Sequence, residues 1–154
     1  GTGHICGSLA KSVAQVIGID ESPAMLKAAR QRLVDYDNVQ LQRGDLHAIP
    51  IDDQSCDAAL LTLVLTYLTQ PAEVIAQMKR ILKPGGKAVI VDILLHDQED
   101  FRRKMGQQNM GYQTVQIKKM LQTAGFADIQ IFELPPEADA KGPALFLASA
   151  NVPE

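Results

Sequence analysis

Cysteine and long apolar runs are both scarce in this chain. The 154 residues include only two cysteines, Cys6 and Cys56, and neither belongs to a Cys-x-x-Cys pair. This count excludes a disulfide framework and predicts no metal site, and it favours a reducing, cytoplasmic setting. No apolar stretch approaches the roughly 20 residues that a membrane-spanning helix needs. The sequence therefore predicts a domain that makes no contact with a membrane.

The chain also has few aromatic residues and no large excess of either positive or negative charge. Tryptophan is absent, aromatic residues make up 5% of the chain, and the net charge is -3. Because Lys and Arg are scattered, no basic patch marks a nucleic-acid surface, and few rings are available to stack on bases. These absences exclude nucleic-acid contact and favour a small-molecule ligand. Length and composition fit a single globular domain over residues 1–154, with the oligomeric state left open.

What the sequence does contain is a glycine-rich turn followed by a helix and an acid-ending strand. Gly1-Thr2-Gly3 precedes a predicted helix over residues 4–11, whose free N–H groups would face a bound ligand. The apolar run over residues 13–19 predicts a buried parallel strand that stops at Asp20. A carboxylate in this position, roughly 17 residues after the glycines, suits a ribose diol. This stretch indicates a nucleoside-cofactor site.

Helical and strand patterns alternate along the rest of the chain. Ser22 and Pro23 predict the start of a second helix, and we expect the first helix to turn Ile5, Leu9 and Val13 inward. The remaining predicted elements are a strand over 39–42, a strand over 58–65 covered on both faces, a helix over 71–82, a turn over 83–86, a strand over 87–95, a helix over 115–124, and strands over 128–134 and 144–150. The last two strands flank a proline-rich loop over 135–143 and can pair as an antiparallel hairpin. The predicted fold is α/β: a three-layer, Rossmann-like, mostly parallel sheet closed by that hairpin.

One strand is missing from this pattern. No strand precedes the turn at Gly1, although in a fold of this kind that strand is the central one. Without it, the backbone groups of its two neighbours would lack ladder partners. We therefore expect the chain to be an N-terminally incomplete domain.

In this order and spacing, the segments resemble class I S-adenosylmethionine-dependent methyltransferases of the type 11/25 kind. Gly1-Thr2-Gly3 resembles the end of their glycine-rich cofactor loop, VIGIDESPAML their acid-bearing strand, and GDLHAIP their adenine-contacting loop. CDAALLTLVLTYL, LKPGG and the terminal hairpin complete the series. The last third further resembles methyltransferase domains fused to arsenic-repressor-type winged-helix regulators.

The resemblance assigns expected roles by position. Gly1 and Gly3 would contact the methionine portion of S-adenosylmethionine, and Asp20 the ribose hydroxyls. Asp45 and the Leu46 N–H would contact the adenine. The full set of implied cofactor-binding residues is Gly1, Gly3, Asp20, Glu21, Met25, Asp45, Leu46 and Thr62. Three of these residues also have a purely structural interpretation. Asp20 could only cap the following helix, Asp45 could only close a turn through its side chain, and Met25 could be a core residue.

Catalysis is not assigned to any residue, because methyl transfer from a sulfonium mainly needs alignment of the reactants and exclusion of water. His96 is the candidate base for an acceptor that arrives protonated, against the alternative of a solvated loop residue. Tyr67, His96 and Tyr112 are candidate substrate contacts. Asp92, inside an apolar strand, must be hydrogen-bonded if it is buried, and we interpret it as structural.

The sequence thus predicts methyl transfer from S-adenosylmethionine to a small-molecule acceptor. Two other functions stay open. One is a non-catalytic domain that senses S-adenosylmethionine for a fused transcriptional regulator. The other is an NAD-dependent Rossmann dehydrogenase, which would share the Gly1 turn and Asp20 but leave LKPGG and the closing hairpin unexplained. Arsenic methylation is disfavoured as the reaction, because two cysteines provide too few thiolates to hold a soft metalloid.

Overall fold

The computed structural model describes residues 1–134 and 142–154, so most of the predicted proline-rich loop lies outside the described residues. The chain forms two compact units, Gly1–Pro50 and Ile51–Glu154. Among the described residues, no helix combines the length and apolar character needed to cross a membrane.

The first unit is a pair of parallel strands with two helices. Its elements are α1 (His4–Ala10), β1 (Val16–Asp20), α2 (Pro23–Arg32), β2 (Val39–Arg43) and a 3₁₀ turn (Leu46–Ala48). β1 and β2 run in register from Val16 opposite Val39 to Asp20 opposite Arg43. The parallel register brings Asp20 and the end of β2 to the same edge of the sheet.

Helix α2 begins where its local signals predict. The Ser22 hydroxyl accepts a hydrogen bond from the Met25 N–H, and Pro23 occupies the first turn, where its missing N–H costs nothing. Leu26, Ala29 and Leu33 are buried along one face. These three residues form the buried stripe of α2, whereas Met25 is exposed, so the alternative of Met25 as a core residue is wrong.

The prediction for the buried face of α1 is wrong. Ile5 is 41% exposed and Leu9 39%, whereas Gly7 and Ala10 are buried. A Cβ added at Gly7 would lie 3.2 Å from the Leu33 side chain. The helix thus packs through its small residues, which allow close approach to α2, and its larger apolar side chains remain at the surface. The predicted buried strand is also only partly correct, since Val16 is its one fully buried member.

The second unit is a four-stranded mixed sheet with three helices. Its elements are β3 (Cys56–Thr62), a 3₁₀ turn (Leu65–Tyr67), α3 (Pro71–Ile81), β4 (Leu82–Ile93), α4 (Glu99–Met105), α5 (Thr114–Thr123), β5 (Ala127–Leu134) and β6 (Leu145–Asn151). The strand order is β3-β4-β6-β5. β3 and β4 are parallel, and β6 runs antiparallel to both β4 and β5. The predicted antiparallel hairpin is confirmed.

The core of the second unit lies between this sheet and the helices α3 and α5. Its fully buried side chains include Val74, Ile75 and Met78 of α3, Ile117 and Leu121 of α5, and Ile90 and Phe146 of the sheet. The helical spacing of apolar residues along 71–82 predicts this arrangement correctly.

One prediction for this unit is wrong: β3 is not covered on both faces, since only Leu61 is buried within it. The predicted turn over 83–86 forms a bulge inside β4, because the pairing with β3 passes from Leu82 directly to Lys87. There the Gly85 N–H donates to the Val152 carbonyl, and the Gly86 carbonyl accepts from the Val152 N–H. Gly85 reaches this conformation with φ of 73°. Among the described residues, β1 pairs only with β2, and β3 only with β4.

Candidate functional site

The turn before α1 requires glycine at one of its two glycine positions. Gly3 has φ of 85° and is the N-cap residue of α1. A Cβ there would lie 2.8 Å from Leu33 Cδ1 and 3.1 Å from Ala29 Cβ. Gly1, in contrast, has no atom within 4 Å of an added Cβ. Gly3 is thus fixed by the packing of α1 on α2, while Gly1 borders open space.

Asp20 lies beside this turn, as its position at the carboxyl end of β1 predicts. Its Oδ1 accepts a hydrogen bond from the Ser22 N–H at 2.8 Å, and its Oδ2 accepts from the Gly1 amino group. The Asp20 side chain remains 22% exposed. The structure therefore brings together two predicted cofactor residues, Gly1 and Asp20, at one edge of the sheet.

Met25 and Glu21 flank Asp20 on the exposed side of the first unit. Met25, in the first turn of α2, is 43% exposed, which is unusual for a large apolar side chain. Glu21 is exposed, and its backbone carbonyl accepts a hydrogen bond from Arg43 Nε at 3.2 Å. An exposed thioether next to a strand-end carboxylate can cover an apolar ring.

Asp45 caps the 3₁₀ turn that follows β2. Its Oδ1 accepts from the His47 N–H at 2.8 Å and lies 3.1 Å from His47 Nδ1. The His47 backbone N–H, and then its ring, lower the pKa of the Asp45 carboxyl, so this exposed side chain stays an anionic acceptor. Leu46, half-buried, follows directly. His47 is a neighbour that sequence reasoning missed, although the Asp-x-His spacing at a turn was a readable signal.

The second unit carries the remaining predicted residues at the carboxyl ends of β3 and β4. Thr62 ends β3 opposite Val91 of β4. Leu63 follows with φ of 55°, a left-handed conformation that costs a leucine roughly 1–2 kcal/mol. Its N–H donates to the Val91 carbonyl at 2.8 Å, and its side chain is exposed. The chain thus leaves β3 through a strained residue.

Asp92 and Tyr112 hold the 3₁₀ turn that comes next. Asp92 is fully buried, and its two carboxylate oxygens accept from the N–H groups of Leu65 at 2.7 Å and Ile93 at 2.8 Å. The Tyr112 hydroxyl donates to the Leu65 carbonyl at 2.8 Å and accepts from Asn109 Nδ2. Burial raises the pKa values of both Asp92 and Tyr112. Tyr67, at the end of this turn, is exposed.

His96 lies on the segment that follows β4. The N–H groups of Leu95 and His96 donate to the carbonyls of Tyr112 and Met110, so the segments around His96 and Tyr112 run side by side. His96 Nδ1 accepts from the Gln98 N–H at 3.0 Å, and its ring contacts Phe101 edge to face. Within the described part of the chain, the buried Nε2 has no hydrogen-bond partner. With Nδ1 accepting, the neutral ring carries its proton on Nε2.

The known proteins that this chain resembles are methyltransferases. A family model described as "Methyltransferase domain" matches residues 1–90. Demethylmenaquinone methyltransferase of Clavibacter sepedonicus is 37% identical over 92 residues, covering 60% of this chain and 38% of the relative. Arsenite methyltransferase of Halobacterium salinarum is 28% identical over 142 residues, covering 85% of this chain and 36% of the relative. The chain therefore spans little more than a third of the length of these relatives.

Among solved structures, phosphoethanolamine N-methyltransferase 2 of Haemonchus contortus superposes with a TM-score of 0.85 at 19% identity. The match covers 100% of this chain and 47% of that one, and that structure contains S-adenosyl-L-methionine. The α/β sheet described above is thus the fold of class I S-adenosylmethionine-dependent methyltransferases. Because the family model covers more than half of the chain, the protein belongs to the methyltransferase domain family, whose methyl donor is S-adenosylmethionine.

The residues of the first unit fit this donor. Asp20 and Asp45 are carboxylates with exposed surface. Met25, in the first turn of α2, exposes an apolar side chain. In the described part of the chain, no group of three or more His, Cys, Asp and Glu side chains is arranged to hold a metal ion. The two hydrogen-bond-accepting carboxylates suit the hydroxyl and amino groups of a nucleoside, and the exposed Met25 side chain suits its base.

Proposed function

We propose that the protein transfers a methyl group from S-adenosylmethionine to a small organic acceptor. The observation that carries the proposal is the partly exposed Asp20 carboxylate at the carboxyl end of β1. Ligands of open α/β sheets bind at this edge, and an acid at this point selects a ribose diol. Family membership supports the choice of S-adenosylmethionine over a nicotinamide cofactor.

The proposed binding roles divide among the residues of the first unit. Asp20 accepts hydrogen bonds from the ribose hydroxyls, and Gly1 lets the backbone approach the methionine portion of S-adenosylmethionine. Asp45 accepts from the adenine amino group, Met25 covers the ring, and the Leu46 N–H reaches a ring nitrogen. S-adenosylmethionine, when bound, supplies a methyl group that is already activated by the positive charge on its sulfur. The work left to the protein is to align the acceptor and exclude water.

The acceptor side is proposed to be formed by the ends of β3 and β4. The resemblance implies a role for Thr62 on the donor side of the reaction, and Tyr67, His96 and Tyr112 are the candidate contacts of the acceptor. Tyr112 contributes through its ring, because its hydroxyl is engaged with Leu65 and Asn109. His96, the candidate base, would have to release the Gln98 N–H before Nδ1 could take a proton. An acceptor that arrives deprotonated avoids this step.

The names of the relatives suggest three acceptors to compare: demethylmenaquinone in its reduced form, phosphoethanolamine and arsenite. We favour an organic acceptor over arsenite. A soft metalloid needs several thiolates, and the chain has only Cys6 and Cys56.

The test is calorimetric titration of S-adenosylmethionine and S-adenosylhomocysteine into the wild-type protein, Asp20→Ala and Asp35→Ala. Asp35 is an exposed acid of the same unit and serves as the matched control. A hydrogen bond to a charged group contributes about 1.5–3 kcal/mol, so we expect Asp20→Ala to bind about 10- to 100-fold more weakly. Asp35→Ala should bind like the wild type.

Equal affinities of wild type and Asp20→Ala would contradict the proposed site, and no binding by the wild type would contradict the proposed cofactor. Turnover is then measured as S-adenosylhomocysteine formed with each of the three acceptors. Tight binding without turnover would favour the sensing domain over the enzyme.

A further inference from the structure

Both polar groups of the Leu65 main chain are held by buried side chains. The N–H donates to Asp92 Oδ2 at 2.7 Å, and the carbonyl accepts from the Tyr112 hydroxyl at 2.8 Å. Leu65 itself is fully buried and opens the 3₁₀ turn Leu65–Tyr67. The next residue, Thr66, uses its carbonyl to accept from the Gln108 N–H. The turn after β3 is thus fixed by strand β4 and by the segment 107–112.

Holding the turn through a buried Asp92 is unfavourable in free energy. Its side chain is fully buried, and it forms no ion pair with the described Lys, Arg or His residues. An unpaired buried carboxylate is far more expensive than the apolar residues around it in β4. Hydrogen bonds from backbone N–H groups offset only part of this cost. Simple packing of β4 would be served better by another valine or isoleucine.

The segment that Asp92 holds contains a strained residue. Leu63 adopts φ of 55° between Thr62 and the 3₁₀ turn. Such a conformation persists where the surrounding structure dictates it, and it is concentrated at functional sites. Its N–H is tied to the Val91 carbonyl, next to Asp92 in β4. Two adjacent residues of β4 therefore hold this segment: Val91 accepts from the Leu63 N–H, and Asp92 accepts from the Leu65 N–H.

We propose that Asp92 is a positioning residue for methyl transfer. Its carboxylate holds the bend Leu63–Tyr67 in one conformation, so that Thr62 and Tyr67 present fixed surfaces to the reactants. The inference rests on the proposed function, which assigns Thr62 to the donor side and Tyr67 to the acceptor side. Asp92 touches neither reactant. It acts through the Leu65 N–H, and Tyr112 acts on the same residue from its carbonyl.

The test compares Asp92→Asn with Asp57→Asn. An asparagine has one acceptor oxygen, so its amide NH₂ must face one of the two backbone N–H groups that the aspartate now accepts. Asp57 is an exposed acid of β3 whose ion pair with Lys83 lies at the surface, which makes it the matched control. Both changes preserve side-chain volume and remove one charge.

Two readouts separate positioning from general destabilisation. The first is hydrogen exchange at the Leu65 amide, with the Leu121 amide in the buried helix α5 as the reference for the whole unit. We expect Asp92→Asn to accelerate exchange at Leu65 about 10- to 100-fold more than at Leu121. The second readout compares binding with rate. We expect Asp92→Asn to bind S-adenosylmethionine within about twofold of the wild-type affinity but to have a kcat that is lowered about tenfold or more. The acceptor is whichever of reduced demethylmenaquinone and phosphoethanolamine the wild type methylates.

Equal acceleration at Leu65 and Leu121 would overturn the inference, because Asp92 would then only stabilise the unit as a whole. An unchanged kcat with locally faster exchange would also overturn it, because the bend would not matter to the reaction. If the wild type binds no S-adenosylmethionine, the proposed function fails and the role for Asp92 in methyl transfer fails with it. The exchange data then still decide whether Asp92 holds the bend. Asp57→Asn should change neither readout.

Discussion

Replacing Gly3 by alanine should destabilise the first unit by an amount that can be worked out from two contributions. The first is backbone conformation: Gly3 has φ of 85°, and a left-handed residue with a Cβ costs about 1–2 kcal/mol. The second is steric, because the new Cβ would lie 2.8 Å from Leu33 Cδ1 and 3.2 Å from Ala29 Cα. The leucine methyl can move, but the α2 backbone cannot, and overpacking of this kind costs about 1–3 kcal/mol. The total is about 2–5 kcal/mol.

Two other glycines separate these contributions. Gly85 has φ of 73° with no atom within 4 Å of an added Cβ, so Gly85→Ala should cost the conformational part alone, about 1–2 kcal/mol. A Cβ added at Gly1 would meet no atom within 4 Å, so Gly1→Ala should leave stability unchanged. Any effect of Gly1→Ala is expected in the affinity for S-adenosylmethionine instead.

Amide exchange is the appropriate assay, because the chain has two compact units and a single unfolding transition cannot be assumed. The exchange of α2 amides reports the Gly3 variant, and the exchange of β4 amides reports the Gly85 variant. If Gly3→Ala costs no more than Gly85→Ala, the close packing of α1 on α2 is not tight enough to demand glycine. The glycine would then have to be explained by the cofactor alone.

Two further predictions concern a cap and a pH dependence. Ser22→Ala should destabilise α2 by about 0.5–1 kcal/mol, the low end for a cap because its bond to the Met25 N–H is long at 3.4 Å. The exchange of α2 amides, compared with that in the exposed control Ser12→Ala, measures this loss. Equal exchange in both variants would mean that the hydroxyl does not cap the helix. Burial raises the pKa of Asp92, so the folded protein binds its proton more tightly than the unfolded chain. The stability this group contributes is fully present below its unfolded pKa of about 3.9 and is lost as the pH rises through the folded pKa. The free energy of unfolding of the second unit in the wild type, relative to Asp92→Asn, should therefore fall over that rise. Amide exchange of β4 in both proteins at a series of pH values measures this difference. A difference that is constant with pH would contradict the effect of burying the carboxylate.

The parts of the fold that the sequence predicts correctly are those with local signals. Ser22 and Pro23 mark the start of α2, and the spacing of Val74, Ile75 and Met78 marks the buried face of α3. The terminal hairpin follows from two short apolar runs joined by one loop. In each case the residues that decide the structure lie within a few positions of one another.

The failures have a shared physical cause, which is that burial depends on neighbours distant in sequence. α1 buries Gly7 because Leu33 of α2 packs against it, and no property of α1 alone indicates that contact. β3 is apolar on both faces, which predicts a covered strand, yet only Leu61 of it is buried, because the cover is supplied by elements distant in sequence. The strain at Leu63 likewise depends on β4.

Asp20 and Asp92 show why a site cannot be assigned from the sequence pattern alone. Each is an acid at or near the carboxyl end of an apolar parallel strand, so the strand position alone does not separate them. Asp20 keeps 22% of its side chain exposed, so it has capacity for an incoming hydroxyl. Asp92 is fully buried, and both of its oxygens are engaged by backbone N–H groups. The same residue type near the ends of two strands is therefore accessible in one case, where we propose that it binds a ligand, and engaged by the protein's own backbone in the other, and exposure is what distinguishes them.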